Sequence, residues 1–427
     1  MKRKLIFGER IMYVDAQTPL NAVFTVTLRG AVSPYHLRAA LFKMQQKHPL
    51  LRARIEEDAR GTPFFVTSDV VGEIPVQVLE RRSGEDWETV SRLEWEKPFD
   101  KKYGPLARVV WLRSGEMSDL LLVCAHCICD GTSFVTLMRE LLFLLDRPEE
   151  NMTGYLSFGS VRELLAGNTP AEGRIRWKGI FWAAVARLFL GLRTARPAAG
   201  PASPYLLHWK IDADHSSAFT NRCKAMNTTV HAALAVAFLE AFGHVLGERA
   251  KGKLLCPADI RRFLPEVRKD MLFAFAPIID LYLDKEPGLD FWTRAVRLKE
   301  TLSSKMAALN VDDMLLTSEY LHGSMKAMIR FLRTTRGTHD FTFSNMGRLD
   351  IPPDYRFFSV DAIHSPSVAF PWRNANTLVV SSFNGRMDFM LLSDERCLPF
   401  VDACRIKEKA MERLTAYADA NRDSYRA

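Results

Sequence analysis

The sequence predicts a mixed α/β fold, an α+β two-layer arrangement built as two similar lobes. Three observations predict it. The chain has 427 residues, more than one ordinary core accommodates, so two units of roughly 200 residues are expected. Strand-like and helix-like patterns mix in much the same way in both halves. Between the halves, Arg196-Pro197-Ala198-Ala199-Gly200-Pro201-Ala202-Ser203-Pro204 is the clearest linker, dense in residues that interrupt regular structure. The expected division is an N-terminal lobe over 1–172, a basic helix and crossover over 173–204, and a C-terminal lobe over 205–427.

The elements follow from local pattern. Residues 21–29 alternate apolar and polar side chains and read as a strand. Ser33-Pro34 starts a helix, with Ser33 as N-cap and Pro34 in the first turn, running to about Gln46 with Leu37, Ala40, Leu41 and Met44 on one face. His48–Ile55 resumes as a strand, followed by strands at Thr62–Thr67 and Ile74–Leu79, a polar helix near Glu85–Trp95 and a strand at Leu106–Arg113. The second half opens with a strand at Tyr205–Ile211 and a long apolar helix capped near Asn227 or Thr228. Leu254–Arg262 reads as a strand feeding a charged loop, and Phe291–Leu309 as a helix. Phe341–Gly347 is a strand running into a polar turn, and Thr377–Ser382 with Met387–Leu392 form a closing strand pair.

One segment carries chemistry. The apolar run Leu120–Ala125 ends in His126-Cys127-Ile128-Cys129-Asp130-Gly131, a buried strand breaking into a turn. Behind it Phe134, Leu137, Met138, Leu141 and Leu142 share one face of a helix. An imidazole is thereby delivered to the end of a rigid strand, where a general base is useful. Cys124, His126, Cys127 and Cys129 are all metal-ligating types, but strand alternation points Cys124 and His126 one way and Cys127 the other, so no metal is expected. His231, His339 and His364 lie in no motif and read as structural or solvent-facing. The Gly-x-Ser-x-Gly elbow of a serine hydrolase is absent.

Composition narrows the class further. Seven cysteines scattered among apolar residues are an odd number and suit buried thiols rather than a disulfide framework. The basic N-terminus lacks the apolar core of a signal peptide, and no run reaches the roughly 18 uninterrupted apolar residues of a membrane span, so a cytoplasmic location is expected. The net charge of +8 points to an acidic partner, and no nucleic-acid motif accompanies it. Residues 174–193 form a basic helix with Trp177, Ile180, Phe181, Ala184, Leu188 and Phe189 on one apolar face. That face reads first as a cover for the other lobe, and second as a lid or a peripheral membrane contact.

His126-x-x-x-Asp130-Gly131 after a buried strand resembles the active-site motif of the chloramphenicol acetyltransferase-like superfamily, which includes condensation domains and stand-alone acyltransferases. The segment Lys47-His48-Pro49-Leu50-Leu51-Arg52-Ala53 resembles the family's "HP.LR" signature, and Phe343-Ser344-Asn345-Met346-Gly347 its "SN.G" turn. Two departures stand out. Ala125 replaces the first of two consecutive histidines found in many condensation domains, and the "DFGWG" sequence of plant enzymes is absent. The first moves the resemblance towards stand-alone acyltransferases, and the second moves it away from a plant-style enzyme.

The resemblance implies two lobes meeting in a V with a tunnel between them, and transfer of an acyl group from a thioester to a hydroxyl or amine. His126 would be the general base, with the Gly131 amide or Ser344 and Asn345 facing the oxyanion or positioning substrate. Asp130 would be structural, paired with Arg261 or Arg262. No permanently bound cofactor is implied. Acyl-CoA or acyl-phosphopantetheine on a carrier protein would be co-substrate, a small molecule or lipid the acceptor, and a monomer suffices. The alternative is a non-catalytic condensation-like module that recruits a carrier protein or partner enzyme.

Overall fold

The computed structural model describes residues 2–68, 70–165, 172–191, 202–284 and 286–419. In chain order the first half contains β1 (Lys2–Lys4), α1 (Phe7–Tyr13), β2 (Asn21–Gly30), α2 (Pro34–Lys47), β3 (Ala53–Glu57), β4 (Pro63–Thr67), β5 (Val76–Glu80), α3 (Asp86–Glu96), β6 (Ala107–Ser114), β7 (Met117–Ala125), α4 (Gly131–Asp146) and α5 (Glu172–Gly191). The second half contains β8 (Pro204–Ile211), α6 (Ala213–Ala225), α7 (Val230–Leu246), β9 (Lys253–Pro257), β10 (Ile278–Tyr282), α8 (Phe291–Ala307), α9 (Val311–Ser318) and α10 (Met325–Thr334). It closes with β11 (Phe341–Arg348), β12 (Phe358–Val368), β13 (Thr377–Phe383), β14 (Arg386–Asp394) and α11 (Phe400–Asp419).

Two large sheets organise these elements into two lobes. One has the order β12-β2-β7-β6-β5, the other β10-β9-β11-β13-β14-β8, and β1-β4-β3 make a small third sheet. The apolar run of β7 is buried along its length because β2 and β6 flank it and α3 packs against it. In the second lobe α7 is buried along most of its length, with Leu234, Phe238 and Phe242 at the centre of a separate core. The span Val230–Arg249 is long and apolar enough to cross a membrane, but its apolar side chains are spent inside this core.

The first sheet draws its edge strand from the second half. β12 runs antiparallel to β2, from Phe358 opposite Gly30 to Val368 opposite Ala22, with two bulges. It is stitched to both lobes by buried polar groups. Trp95 Nε1 donates to Ser367 Oγ at 3.2 Å, Ser365 N donates to Asp388 Oδ1 at 2.7 Å, and Ser365 Oγ lies 2.8 Å from Ser381 Oγ. The Thr27 hydroxyl donates to Asp119 at 2.7 Å, so the His364 Nε2 atom 3.2 Å away carries the proton that Thr27 accepts. Trp87 stacks on the same imidazole at 3.9 Å between centroids.

Several local readings change. Pro49–Arg52 forms a 3-10 turn, with Leu51 N donating to His48 O at 3.0 Å, so the strand expected from His48 begins only at Ala53. The proline fixes φ in a helical range and removes a ladder donor. Thr229, rather than Asn227 or Thr228, caps α7 by accepting from Ala232 N at 3.1 Å. Ser344 and Asn345 are not in a turn: β11 continues through them to Arg348, and the irregularity is a bulge between Asn345 and Gly347. In the expected linker, residues 196–201 lie outside those described, as do 192 and 193 of the basic helix.

The apolar face of α5 does not cover the other lobe. The helix packs on α9, α10 and the 3-10 turn Glu319–Ser324 through its opposite side, where Ile175, Gly179, Ala183 and Leu190 are buried. A β-carbon on Gly179 would lie 2.3 Å from the Tyr320 ring, so the missing side chain is what lets the helix approach this closely.

Candidate functional site

The site begins where β7 ends. Ala125 is the last strand residue, and His126–Ile128 turn in a 3-10 bend held by the His126 N–H donating to Leu20 O at 2.9 Å. The strand alternation expected to continue through Cys127 therefore stops at Ala125. His126 Nδ1 lies 2.9 Å from the Cys129 carbonyl. A carbonyl only accepts, so Nδ1 carries the proton and Nε2 keeps its lone pair. Burial lowers the His126 pKa, opposed by hydrogen bonding and by Asp130. The neutral, proton-accepting form therefore prevails at pH 7. The Phe370 ring stands 5.9 Å from the imidazole, tilted by 37°.

Phe370 also lines a small crevice, together with Trp95, Tyr205, Val368 and Leu392. One aromatic side chain thus borders both the histidine and the space between the lobes. The neighbouring cysteines are buried thiols. Burial pushes Cys127 up to about 12 and also raises Cys129, which keeps both protonated.

Asp130 caps α4, its Oδ1 accepting from Ser133 N at 2.9 Å and Ser133 Oγ at 2.9 Å. The same carboxylate receives a fork from Arg261, with Nη1 to Oδ2 at 2.7 Å and Nη2 to Oδ1 at 2.9 Å. Arg261 is buried and also donates to Ser133 Oγ at 2.9 Å and the Phe273 carbonyl at 3.2 Å. Desolvation opposes its charge, but Asp130 and then Asp259 raise its pKa on balance. Thr132 Oγ1 donates to Asp259 at 2.9 Å beside this pair. Arg262 takes no part: it is exposed, with its guanidinium 4.6 Å from the Phe263 ring.

Gly131 is the first residue of α4, so its amide has no acceptor within the helix and lies at the positive end of the helix dipole. A β-carbon there would sit 2.7 Å from Met346 Sδ. The second lobe thus reaches the His126 turn through Met346, at the bulge of β11. Ser344 Oγ is 3.8 Å from the same sulfur, whereas Asn345 Oδ1 accepts from Gly347 N at 2.8 Å and is turned to its own backbone.

Sequence reasoning passed over three supporting groups. Glu140 on α4 accepts from Lys47 at 2.5 Å and lies 2.6 Å from His48 Nε2, while Lys47 also donates to Asp270 of the second half at 2.7 Å. The His48-Pro49 segment is therefore buried scaffold that ties α2 to α4. Glu140 sits in a helix rich in leucines, and a carboxylate among those leucines was the available signal. Phe370 and Met346 had no signal in local pattern.

The arrangement has relatives. The family model for the condensation domain matches residues 12–250, more than half of the chain. A plipastatin synthase chain of Bacillus subtilis (strain 168) is 32% identical over 127 residues, 30% of this chain and 5% of that protein. Surfactin synthase subunit 2 of the same organism is 25% identical over 251 residues, 57% of this chain and 7% of that protein. The chain therefore spans less than a tenth of the length of these curated relatives. Among solved structures, trichothecene 15-O-acetyltransferase from Fusarium sporotrichioides superposes with a TM-score of 0.74 at 12% identity, covering 97% of this chain and 95% of that one. Polyketide synthase associated protein 5 from Mycobacterium tuberculosis gives 0.69 at 15% identity, covering 97% and 98%. These likenesses show the fold, two sheet-containing lobes of the chloramphenicol acetyltransferase-like kind. With its family model matched from the end of α1 through α7, this chain belongs to the condensation-domain family.

Proposed function

We propose that the protein transfers an acyl group from a CoA or carrier-protein thioester to an acceptor hydroxyl or amine, with His126 as general base. The observation that carries this reading is the bond from His126 Nδ1 to the Cys129 carbonyl, which leaves Nε2 free to take a proton. The acceptor O–H or N–H proton passes to Nε2 as the heteroatom bonds to the thioester carbon. The carbonyl oxygen becomes an oxyanion, and the Gly131 amide at the N-terminus of α4 is the donor best suited to face it. In this reading Ser344, beside Met346 on the second lobe, orients the acceptor. Collapse breaks the C–S bond, and the proton on Nε2 leaves with the thiol. Asp130 and Arg261 act as positioning residues by fixing the turn that carries His126.

The test is a mass-spectrometric screen of acyl-CoA and acyl-carrier thioesters against alcohols and amines, run with the wild type and with His126→Ala. Product formation by the wild type, with a loss of about 10²–10⁴-fold in the variant, is expected for removal of a general base. Equal turnover by the variant would remove His126 from the reaction. No thioester consumption by the wild type would leave the carrier-recruiting reading.

A further inference from the structure

Helix α5 is amphipathic in the opposite sense to an ordinary surface helix. Its buried stripe sets the small Gly179 and Ala183 between Ile175 and Leu190. Its large apolar residues point away from the protein: Trp177 is 77% exposed, Leu188 66%, Phe181 60% and Trp182 53%. At 100° per residue Trp177, Phe181 and Leu188 fall within about 40° of one another, opposite the buried stripe, while Trp182 lies at the flank next to Ile175. An ordinary surface helix would turn such side chains to the core, since each leaves about 1.5–3 kcal/mol of burial unused.

Charge identifies what covers this ridge. After Glu172 at its first position, the helix carries Arg174, Arg176, Lys178 and Arg187 and no further acidic residue. Beside it, α10 adds Lys326 and Arg330, both exposed, and has no acidic residue. The two helices are joined by an edge-on contact of Phe189 with Phe331 at 5.7 Å. Lys178 is offset by Asp313 of α9 at 2.7 Å, and Arg174, Arg176, Arg187, Lys326 and Arg330 keep the patch cationic. A second copy of this face would oppose like charges, whereas an anionic surface satisfies them. The ridge is an exposed helix face rather than a groove, with the indole of Trp177 on it and the partly exposed indole of Trp182 at its flank, a composition suited to the boundary between headgroups and acyl chains.

We propose that the outward face of α5, flanked by Lys326 and Arg330 of α10, docks the protein on an anionic lipid bilayer. The apolar ridge enters the boundary region while the cations meet lipid phosphates. This does not depend on the acyl-transfer reading.

The experiment is co-sedimentation of the full chain with phosphatidylcholine vesicles, with and without phosphatidylglycerol. The wild type and the triple variant Trp177→Ala/Phe181→Ala/Leu188→Ala are compared. All three positions are exposed, so unchanged thermal unfolding serves as the folding control. The wild type is expected to pellet with the anionic vesicles, and the triple variant to partition at least about tenfold less. Raising salt from ~0.05 to ~0.5 M should weaken binding several-fold, because screening shortens the reach of the cations. A wild type that stays in the supernatant with anionic vesicles at low salt would overturn the proposal, and so would a triple variant that binds equally well. A wild-type dimer in lipid-free solution that the triple variant abolishes, without vesicle binding, would assign the ridge to a second copy instead.

Discussion

The sulfur of Met346 occupies the place that a β-carbon on Gly131 would need, 2.7 Å from that position. The two residues come from different lobes, so the glycine of the His126 motif is matched to a side chain on β11. Gly131→Ala must push the end of Met346 aside, towards Ser344. A flexible thioether yields readily. The variant should therefore lose less than about 1.5 kcal/mol of stability while turnover falls clearly. Adding Met346→Ala should restore much of the turnover. Turnover of the double variant no better than that of Gly131→Ala would show that the glycine acts without regard to its neighbour.

The fork from Arg261 to Asp130 should be costly to break from one side. Asp130→Ala leaves the buried guanidinium with only the longer contact to Asp259 at 3.3 Å, with an expected loss of about 3 kcal/mol in urea unfolding. Arg261→Lys should also destabilise, since an ammonium cannot span both carboxylate oxygens. Arg262→Ala should stay within about 0.5 kcal/mol of the wild type, as expected at an exposed site. Equal losses at the two arginines would contradict the assignment.

The pH profile of acyl transfer should follow His126. The base is the neutral imidazole, and burial holds its pKa below the ordinary 6.5. Activity should therefore be flat through neutrality and fall only at pH values below 6.5, as the ring gains its proton. An acid limb centred above 6.5 in kcat/KM would argue against this assignment.

Stability should fall on acidification for a related reason. Burial depresses His231 and His339 to about 4 and holds His364 well below its ordinary value, with Lys210, His208 and Arg81 adding repulsion at the last. A histidine depressed on folding contributes no destabilisation above 6.5, where both states are neutral. Below 6.5 the unfolded chain binds the proton first, and stability declines until the folded pKa is reached. At pH 5 a shift from 6.5 to about 4 amounts to about 2 kcal/mol per group. Urea midpoints measured at pH 7.5 and pH 5 should differ, and the difference should shrink in His231→Gln. A pH-independent midpoint would rule this out.

Much of this architecture was legible in local pattern, because alternation and capping act over a few residues. The apolar run into His126, the Ser33 cap on α2 and the pairing of β13 with β14 all follow from neighbours in the chain. β12 was not legible. It carries Asp361, His364, Ser365, Pro366 and Ser367, and such a polar run reads as loop until Thr27, Trp95 and Asp388 supply its partners. The choice between Arg261 and Arg262 was equally closed to local reasoning, since adjacent arginines differ only in which one faces Asp130 across the lobes. The outward ridge of α5 had the pattern of a covering helix. Only the fit of Gly179 against Tyr320 reveals which side is covered.

The pairing of β12 with β2 also sets an order of events during synthesis. β2 is complete once residue 30 has been translated, yet its partner ends at residue 368. Throughout that interval one edge of β2 offers unpaired amides and carbonyls, the kind of edge to which other strands add. A nascent chain halted after the first half would expose this template. The first lobe is thus finished late, by a strand that arrives only when most of the second lobe has already been made.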